Sequence, residues 1–273
     1  MATDESPATR LYRHRHDTLV TERGDPADPS LVCAHGTLMD RTMFRPQLEA
    51  LSDDYHVLAY DLRARTEWHA RPYDLYDLAD DCAALLAARG IDSCILAGMS
   101  MGGFMALRFA DRYPERLDGI VMIDSIAQPH EEADIEQYGQ MITTTRELGE
   151  VPEPMGETVR HILFGATSNA ERAALVDGWV QRWLTYPGEA VYQEVSSWLE
   201  RPDFTDELAG IEVPVLAIHG EEDTALEMEK AEDMVGHLPD ARLESIPEAG
   251  HSSNLENPAA ANAAIREFLA DVY

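Results

Sequence analysis

Short, nearly continuous apolar runs alternate along the chain with longer stretches whose apolar positions recur every three or four residues. Ser30–Ala34 (SLVCA) is too short for a helix and stops at His35-Gly36. That pattern predicts a strand buried on both faces. Tyr55–Tyr60 (YHVLAY), Ser93–Ala97 (SCILA) and Gly119–Ile123 (GIVMI) read the same way. Helical spacing covers Met43–Leu51, Leu75–Arg89 and Ser100–Tyr113; Gly90 supplies a C-cap and Pro114 a stop. Strands alternating with helices imply right-handed βαβ units and a mostly parallel sheet. Arg10–Arg23 is expected to add an antiparallel edge pair.

The rhythm changes after Ile126. From Ala127 to about Thr205 no buried strand is evident, and helical patterns are broken at Pro152, Pro154, Pro187 and Pro202. This stretch is expected to be an all-helical cap (127–205) inserted into an α/β core formed by 1–126 and 206–273. It holds three of the four tryptophans, Trp179, Trp183 and Trp198, and Trp179 and Trp183 are candidates for touching a substrate. The alternation then resumes. Strands are expected at Val213–His219 and Arg242–Ile246, and helices at Ala225–Leu238 and from Pro258 to Val272.

With 273 residues the chain can bury a full core without metal or disulfide staples. No apolar stretch reaches the ~18–20 residues that span a bilayer. The start, MATDESPATR, carries no apolar segment, so no secretory signal is expected. The 51 Asp and Glu outnumber 21 Lys and Arg, a net charge of −30, and Lys230 is the only lysine. Such a field repels phosphate backbones, which argues against a nucleic-acid partner. A solvated acidic shell on a folded core resembles the proteins of salt-accumulating halophiles, and self-repulsion in it is screened by salt. Three cysteines, Cys33, Cys82 and Cys94, form no pairable or metal-ligand pattern. Reduced thiols and a cytoplasmic location are expected. His14, His16 and His130 read as surface histidines rather than metal ligands, because no second ligand cluster follows them. No metal or organic cofactor is implied, and the oligomeric state is left open.

The chemistry concentrates at Gly98-Met99-Ser100-Met101-Gly102-Gly103, between a predicted strand and a predicted helix. That is the setting of a G-x-S-x-G nucleophile elbow, where a serine sits in a sharp strained turn and glycines remove clashing side chains. A serine hydroxyl needs a base. His251, in a loop between a strand and the last helix, is the candidate. Asp223, after the strand Val213–His219, is the candidate acid that would orient the imidazole. Asp124 and Glu222 are rivals for that role, and Asp223 could instead cap a helix before Ala225. An oxyanion needs two N–H donors. The backbone N–H of Met101 is one; Thr37, with Leu38 second, is the candidate for the other. His35 is expected to brace that loop.

Together these residues resemble the α/β-hydrolase superfamily over nearly the whole chain. The matching pieces are Cys33-Ala34-His35-Gly36, Tyr60-Asp61-Leu62-Arg63, the Ser100 elbow, Arg112-Tyr113-Pro114-Glu115-Arg116-Leu117, His219-Gly220-Glu221-Glu222-Asp223 and Gly250-His251. The resemblance is strongest to small esterases and lactonases of the 3-oxoadipate enol-lactonase type. It implies an α/β-hydrolase fold, a Ser100–His251–Asp223 triad, a small ester or lactone substrate, and water as second substrate. Cofactor-free perhydrolases (the non-haem haloperoxidases) and carbon–carbon bond hydrolases would use the same residues. A non-catalytic ligand-binding homologue is the alternative from another class. The chain departs from the family after Asp61-Leu62-Arg63, where Ala64, Thr66 and Trp68 replace two glycines and a serine. That loop must run differently, and Trp68 or His69 is a candidate for shaping the pocket. Thr37 stands where relatives carry a bulky apolar residue, which would widen the acyl pocket.

Overall fold

In the computed structural model, which describes residues 19–273, the apolar runs become strands of one sheet. They are β1 (Val20–Arg23), β2 (Ser30–Ala34), β3 (His56–Tyr60), β4 (Cys94–Met99), β5 (Leu117–Ile123), β6 (Val215–Gly220) and β7 (Ala241–Ile246). Their spatial order is β1-β3-β2-β4-β5-β6-β7. β1 pairs with β3 antiparallel, Val20 opposite Tyr60, and every other pairing is parallel. Of the expected edge pair over Arg10–Arg23, the described residues include one strand, Val20–Arg23, and the rest, with His14 and His16, lies outside the described residues. β2, β3, β4 and β6 are buried at every position, so helices must cover both faces of the sheet.

Those helices are α1 (Arg45–Leu51), α2 (Leu75–Arg89), α3 (Met101–Arg112), α9 (Met228–His237) and α11 (Pro258–Val272), with a short α10 (Ser253–Glu256). α2 packs on α3, and α11 on α1. α2 starts at a reciprocal cap in which Asp74 and Asp77 each accept the other's backbone N–H. The chain moves from β2 out to β3 and then crosses back to β4 on the other side of β2. The carboxyl ends of β2 and β4 thus flank the switch point of the sheet, where open α/β sheets form their ligand crevice.

Between β5 and β6 the chain forms helices only: α4 (Glu132–Leu148), α5 (Glu153–Leu163), α6 (Ala166–Glu171), α7 (Ala173–Trp183) and α8 (Gly188–Ser196). α8 packs along α4, and a single bridge joins Glu150 to Pro187. Two expected boundaries move for local reasons. β6 begins after Pro214, which has no N–H to give a ladder. The helix expected from Ala225 begins at Met228, because Asp223 holds Ala225 and Leu226 in a turn.

Candidate active site

Ser100 alone makes the turn from β4 into α3. Its φ of 49° and ψ of −113° lie in a region that residues with a side chain avoid. The surroundings hold it there. Ser100 N donates to Ile123 O (2.8 Å), and Ser125 Oγ donates to Ser100 O (3.0 Å). A Cβ on Gly98 would lie 2.2 Å from Gly102 O, and one on Gly102 the same distance from Ala34 O. Only glycine lets β2, β4 and α3 approach this closely.

His251 sits on the loop between β7 and α10. Its Nδ1–H donates to Asp223 Oδ2 at 2.8 Å, which leaves Nε2 to accept from Ser100 Oγ at 2.9 Å. The structure thus brings Ser100, His251 and Asp223 into one chain of hydrogen bonds. The other oxygen of Asp223 accepts from Ala225 N (2.8 Å) and Leu226 N (3.1 Å), so this carboxylate both caps the turn and orients the imidazole. Burial alone would push the Asp223 carboxyl up, but the charge and hydrogen bond of His251 outweigh it and hold it below its ordinary value. For His251 burial pulls the other way, and the Asp223 carboxylate overcomes it, so the imidazole is more basic than usual.

The rival acids do other work. Asp124 Oδ1 accepts from Gly220 N and Oδ2 from Ser253 N, both at 2.8 Å. It ties the strand that carries Asp223 to the loop that carries His251. Burial raises its pKa, partly offset by His219. Glu222 turns away to Thr167, accepting from its N (2.8 Å) and Oγ1 (2.5 Å). Glu256, which the sequence did not single out, closes the His251 loop by accepting from Gly250 N (3.0 Å) and Ser252 N (3.1 Å). Its other oxygen accepts from Gly165 N (2.8 Å), tying that loop to the helical segment. Asp124, His219 and Asp223 offer ligand atoms within 4.8 Å of one another. Here those atoms serve this clamp: His219 Nε2 donates to Leu226 O at 2.9 Å.

Met101 opens α3 beside Ser100, and Thr37 and Leu38 follow β2 on the other side. The Leu38 N–H donates to the buried Glu194 Oε2 of α8 (3.1 Å), which corrects its reading as the second-choice oxyanion donor. Glu194 also accepts from Arg65 Nη2 at 3.0 Å. His35 Nδ1–H donates to Gly36 O (2.9 Å), and its Nε2 accepts from Leu62 N (3.0 Å). Burial, with the Arg65 charge, takes its pKa down to about 3, so it braces the loop as a neutral ring.

A cavity of about 710 Å³, its open mouth included, extends from Ser100, His251 and Thr37 beneath the helical segment. Its walls are apolar: Met141 and Ile142 of α4, Met155 and Val159 of α5, Val191 and Val195 of α8. Three expectations are corrected here. Trp68, Trp179 and Trp183 do not line it. Trp183 is fully buried and stacked on Phe164 (6.0 Å), Trp179 lies under Arg182 (4.3 Å), and Trp68 lies between Arg63 and Arg71. Trp198 lines the cavity instead, together with His130 and Tyr138. His130 is therefore no surface histidine. Its place soon after the end of β5, on the ligand side of a parallel sheet, was the available signal. Cys33, Cys82 and Cys94 are buried free thiols, and burial raises all three; Cys82 is pushed up to about 12.

A family profile described as alpha/beta hydrolase fold matches residues 29–258. A pimeloyl-[acyl-carrier protein] methyl ester esterase of Nitrosomonas europaea is 29% identical over 84% of this chain and 91% of its own. A 3-oxoadipate enol-lactonase of Acinetobacter baylyi is 26% identical over 90% of both chains. The solved structure of a thermophilic esterase from Thermogutta terrifontis superposes with a TM-score of 0.86, at 30% identity and 93% coverage of both chains.

Proposed function

The chain belongs to the α/β-hydrolase fold family, and from that premise we propose that it cleaves small carboxylic esters or lactones through an acyl-enzyme on Ser100. The observation that carries this reading is the run of hydrogen bonds from Ser100 Oγ through His251 to Asp223, opening on an apolar cavity. Ser100 Oγ attacks the acyl carbon while His251 Nε2 takes its proton. The oxyanion is held by the backbone N–H groups of Met101 and Thr37. His251 then protonates the departing alkoxide, and Asp223 stabilises the imidazolium throughout. Water, deprotonated by His251, attacks the acyl-enzyme and releases the acid and free Ser100. The helical segment 127–205 acts as a cap that walls the substrate from solvent. An esterase and an enol-lactonase among the relatives support the substrate class.

The test is intact-mass labelling with a fluorophosphonate. One adduct on the wild-type protein and none on Ser100→Ala is the expected result. No adduct on folded wild-type protein overturns the reading and leaves a ligand-binding role.

A further inference from the structure

Among the cavity-lining residues, His130 is fixed with unusual completeness for a side chain outside the proposed triad. Arg201 Nη1 lies 2.7 Å from its Nδ1. A guanidinium can only donate, so Nδ1 is an acceptor and the ring proton must sit on Nε2. Arg201 is itself immobilised. It is 5% exposed, donates from Nη2 to Gln128 O (2.5 Å), and lies 3.7 Å over the Phe104 ring. The imidazole is held from its other sides by Trp198 (5.0 Å), Tyr138 (5.8 Å, edge-on) and Phe104 (6.4 Å, edge-on). Burial and then the Arg201 charge take the His130 pKa down to about 3, so the ring is neutral across the working range. Burial lowers Arg201 only to about 9, which keeps it a donor at neutral pH.

The result is one N–H of defined position in a mostly apolar wall, to which Tyr138 and Trp198 are the neighbouring polar contributors. Nε2 is hydrogen bonded to no described residue, and the ring lines the same cavity as Ser100 and His251. A preformed donor in an apolar pocket favours a ligand that carries an acceptor at that point. It also discriminates against the isosteric alkyl group, which would leave the donor dry and unpaired.

We propose that His130 is a specificity-determining residue that donates its Nε2–H to a neutral oxygen acceptor of the substrate, a keto or ether oxygen set apart from the scissile carbonyl. The proposal deepens the ester- and lactone-hydrolase reading and rests on it for which bond is cut. Arg201 is the positioning residue that fixes the tautomer.

Two measurements test it, one of them independent of turnover. Binding is measured by calorimetry with two uncleaved amides, N-propyl-4-oxopentanamide and N-propylpentanamide, and with a second pair bearing the oxygen in the amine part. The oxygen-bearing member of at least one pair should bind about tenfold tighter, the range of one good neutral hydrogen bond. His130→Phe should abolish that preference, and His130→Gln, which keeps a donor, should restore part of it. Imidazole ¹⁵N spectra should show the Nε2–H tautomer of His130 and a shift on adding the preferred amide only. Catalysis is then compared for the corresponding nitrophenyl esters, with kcat/KM expected to follow the same preference. Equal binding of both members in both pairs, or an unchanged preference in His130→Phe, overturns the proposal. Selective amide binding without hydrolysis of any ester would sink the hydrolase reading and leave this one standing.

Discussion

Glu194 links the helical segment between β5 and β6 to the loop that follows β2. Its carboxylate lies on α8, fully buried, and one oxygen does two jobs: it accepts from the Leu38 N–H at 3.1 Å and from Arg65 Nη2 at 3.0 Å. Leu38 adopts φ 61°, a left-handed conformation that a leucine takes only under constraint, and it follows directly on Thr37. Arg65 has further anchors in Met39 O (2.9 Å) and the Tyr186 ring (3.8 Å). In Glu194→Ala the guanidinium therefore stays buried but loses its only paired carboxylate among the described residues, and the Leu38 N–H loses its acceptor. Breaking a buried pair from one side costs about 3–5 kcal/mol because it strands the Arg65 charge, and the unpaired Leu38 N–H adds to that cost. For a chain of this size, that corresponds to a fall in melting temperature of roughly 10 °C.

Glu194→Gln separates the two contributions. The amide oxygen can still accept from Leu38, and the amide nitrogen would replace Oε1, which has no partner in the native protein. Only the charge is lost while both hydrogen bonds can be kept, so the cost should be clearly smaller than that of the Ala variant. Thermal and urea unfolding of both variants give the stabilities. Turnover of a short nitrophenyl ester reads the adjacent Thr37 N–H: kcat should drop at least about tenfold in the Ala variant, short of the 10²–10³ for a donor removed outright, with KM little changed. Glu194→Ala within about 0.5 kcal/mol of wild type and with unaltered kcat would refute the reasoning, because surface substitutions behave that way and a loop braced by a buried carboxylate cannot.

Other predictions concern pH, salt and the elbow. The proposed mechanism needs neutral His251, whose pKa is raised above the ordinary 6.5, so kcat/KM should rise with pH through a midpoint above that value. Asp223→Asn should move the limb to lower pH and cut kcat by about 10⁴; an unmoved limb would mean another group is titrating. In stability the two signs oppose: the raised His251 contributes below its unfolded pKa and loses that as pH rises through its folded value, whereas the lowered Asp223 loses its contribution as pH falls through its own. The net charge of −30 predicts a melting temperature that climbs from 0.1 M to about 2 M KCl as the Debye length shrinks from about 10 Å to below 3 Å. A flat or falling curve would count against self-repulsion as a significant cost. Gly102→Ala should destabilise by about 3 kcal/mol or prevent folding, since its Cβ meets backbone at 2.2 Å. Gly139→Ala, inside α4 with its nearest neighbour 4.0 Å away, should instead stabilise by about 0.5–1 kcal/mol; denaturant midpoints compare the two.

What the chain discloses without coordinates follows from the range of the physics involved. The strands and the elbow depend on neighbours in sequence: an apolar run such as SCILA, a glycine two places either side of Ser100. Those regularities are local, and the sheet they imply is the one observed. The segment between β5 and β6 was legible as helical from its periodicity, yet the expected substrate contacts were Trp179 and Trp183, and it is Trp198 that lines the cavity. Which of them meets the cavity depends on how five helices settle against one another, and no spacing rule encodes that.

Long-range polar bonds were the least legible, and they assemble the site. Asp124 is an aspartate at a strand end, which by sequence makes it a rival to Asp223 for the catalytic acid. The difference arises from 96 and 129 residues away, where Gly220 and Ser253 direct their N–H groups at its two oxygens. A carboxylate whose lone pairs are taken by backbone donors is poorly placed to orient an imidazole, and one that keeps an oxygen for Nδ1 is well placed. The same accounting separates Glu222, engaged by Thr167, from Asp223, and removes Leu38 as an oxyanion donor because Glu194 has claimed its N–H. Residue type nominates the candidates; the remaining hydrogen-bonding capacity of each atom decides between them, and that capacity exists only once the chain has folded.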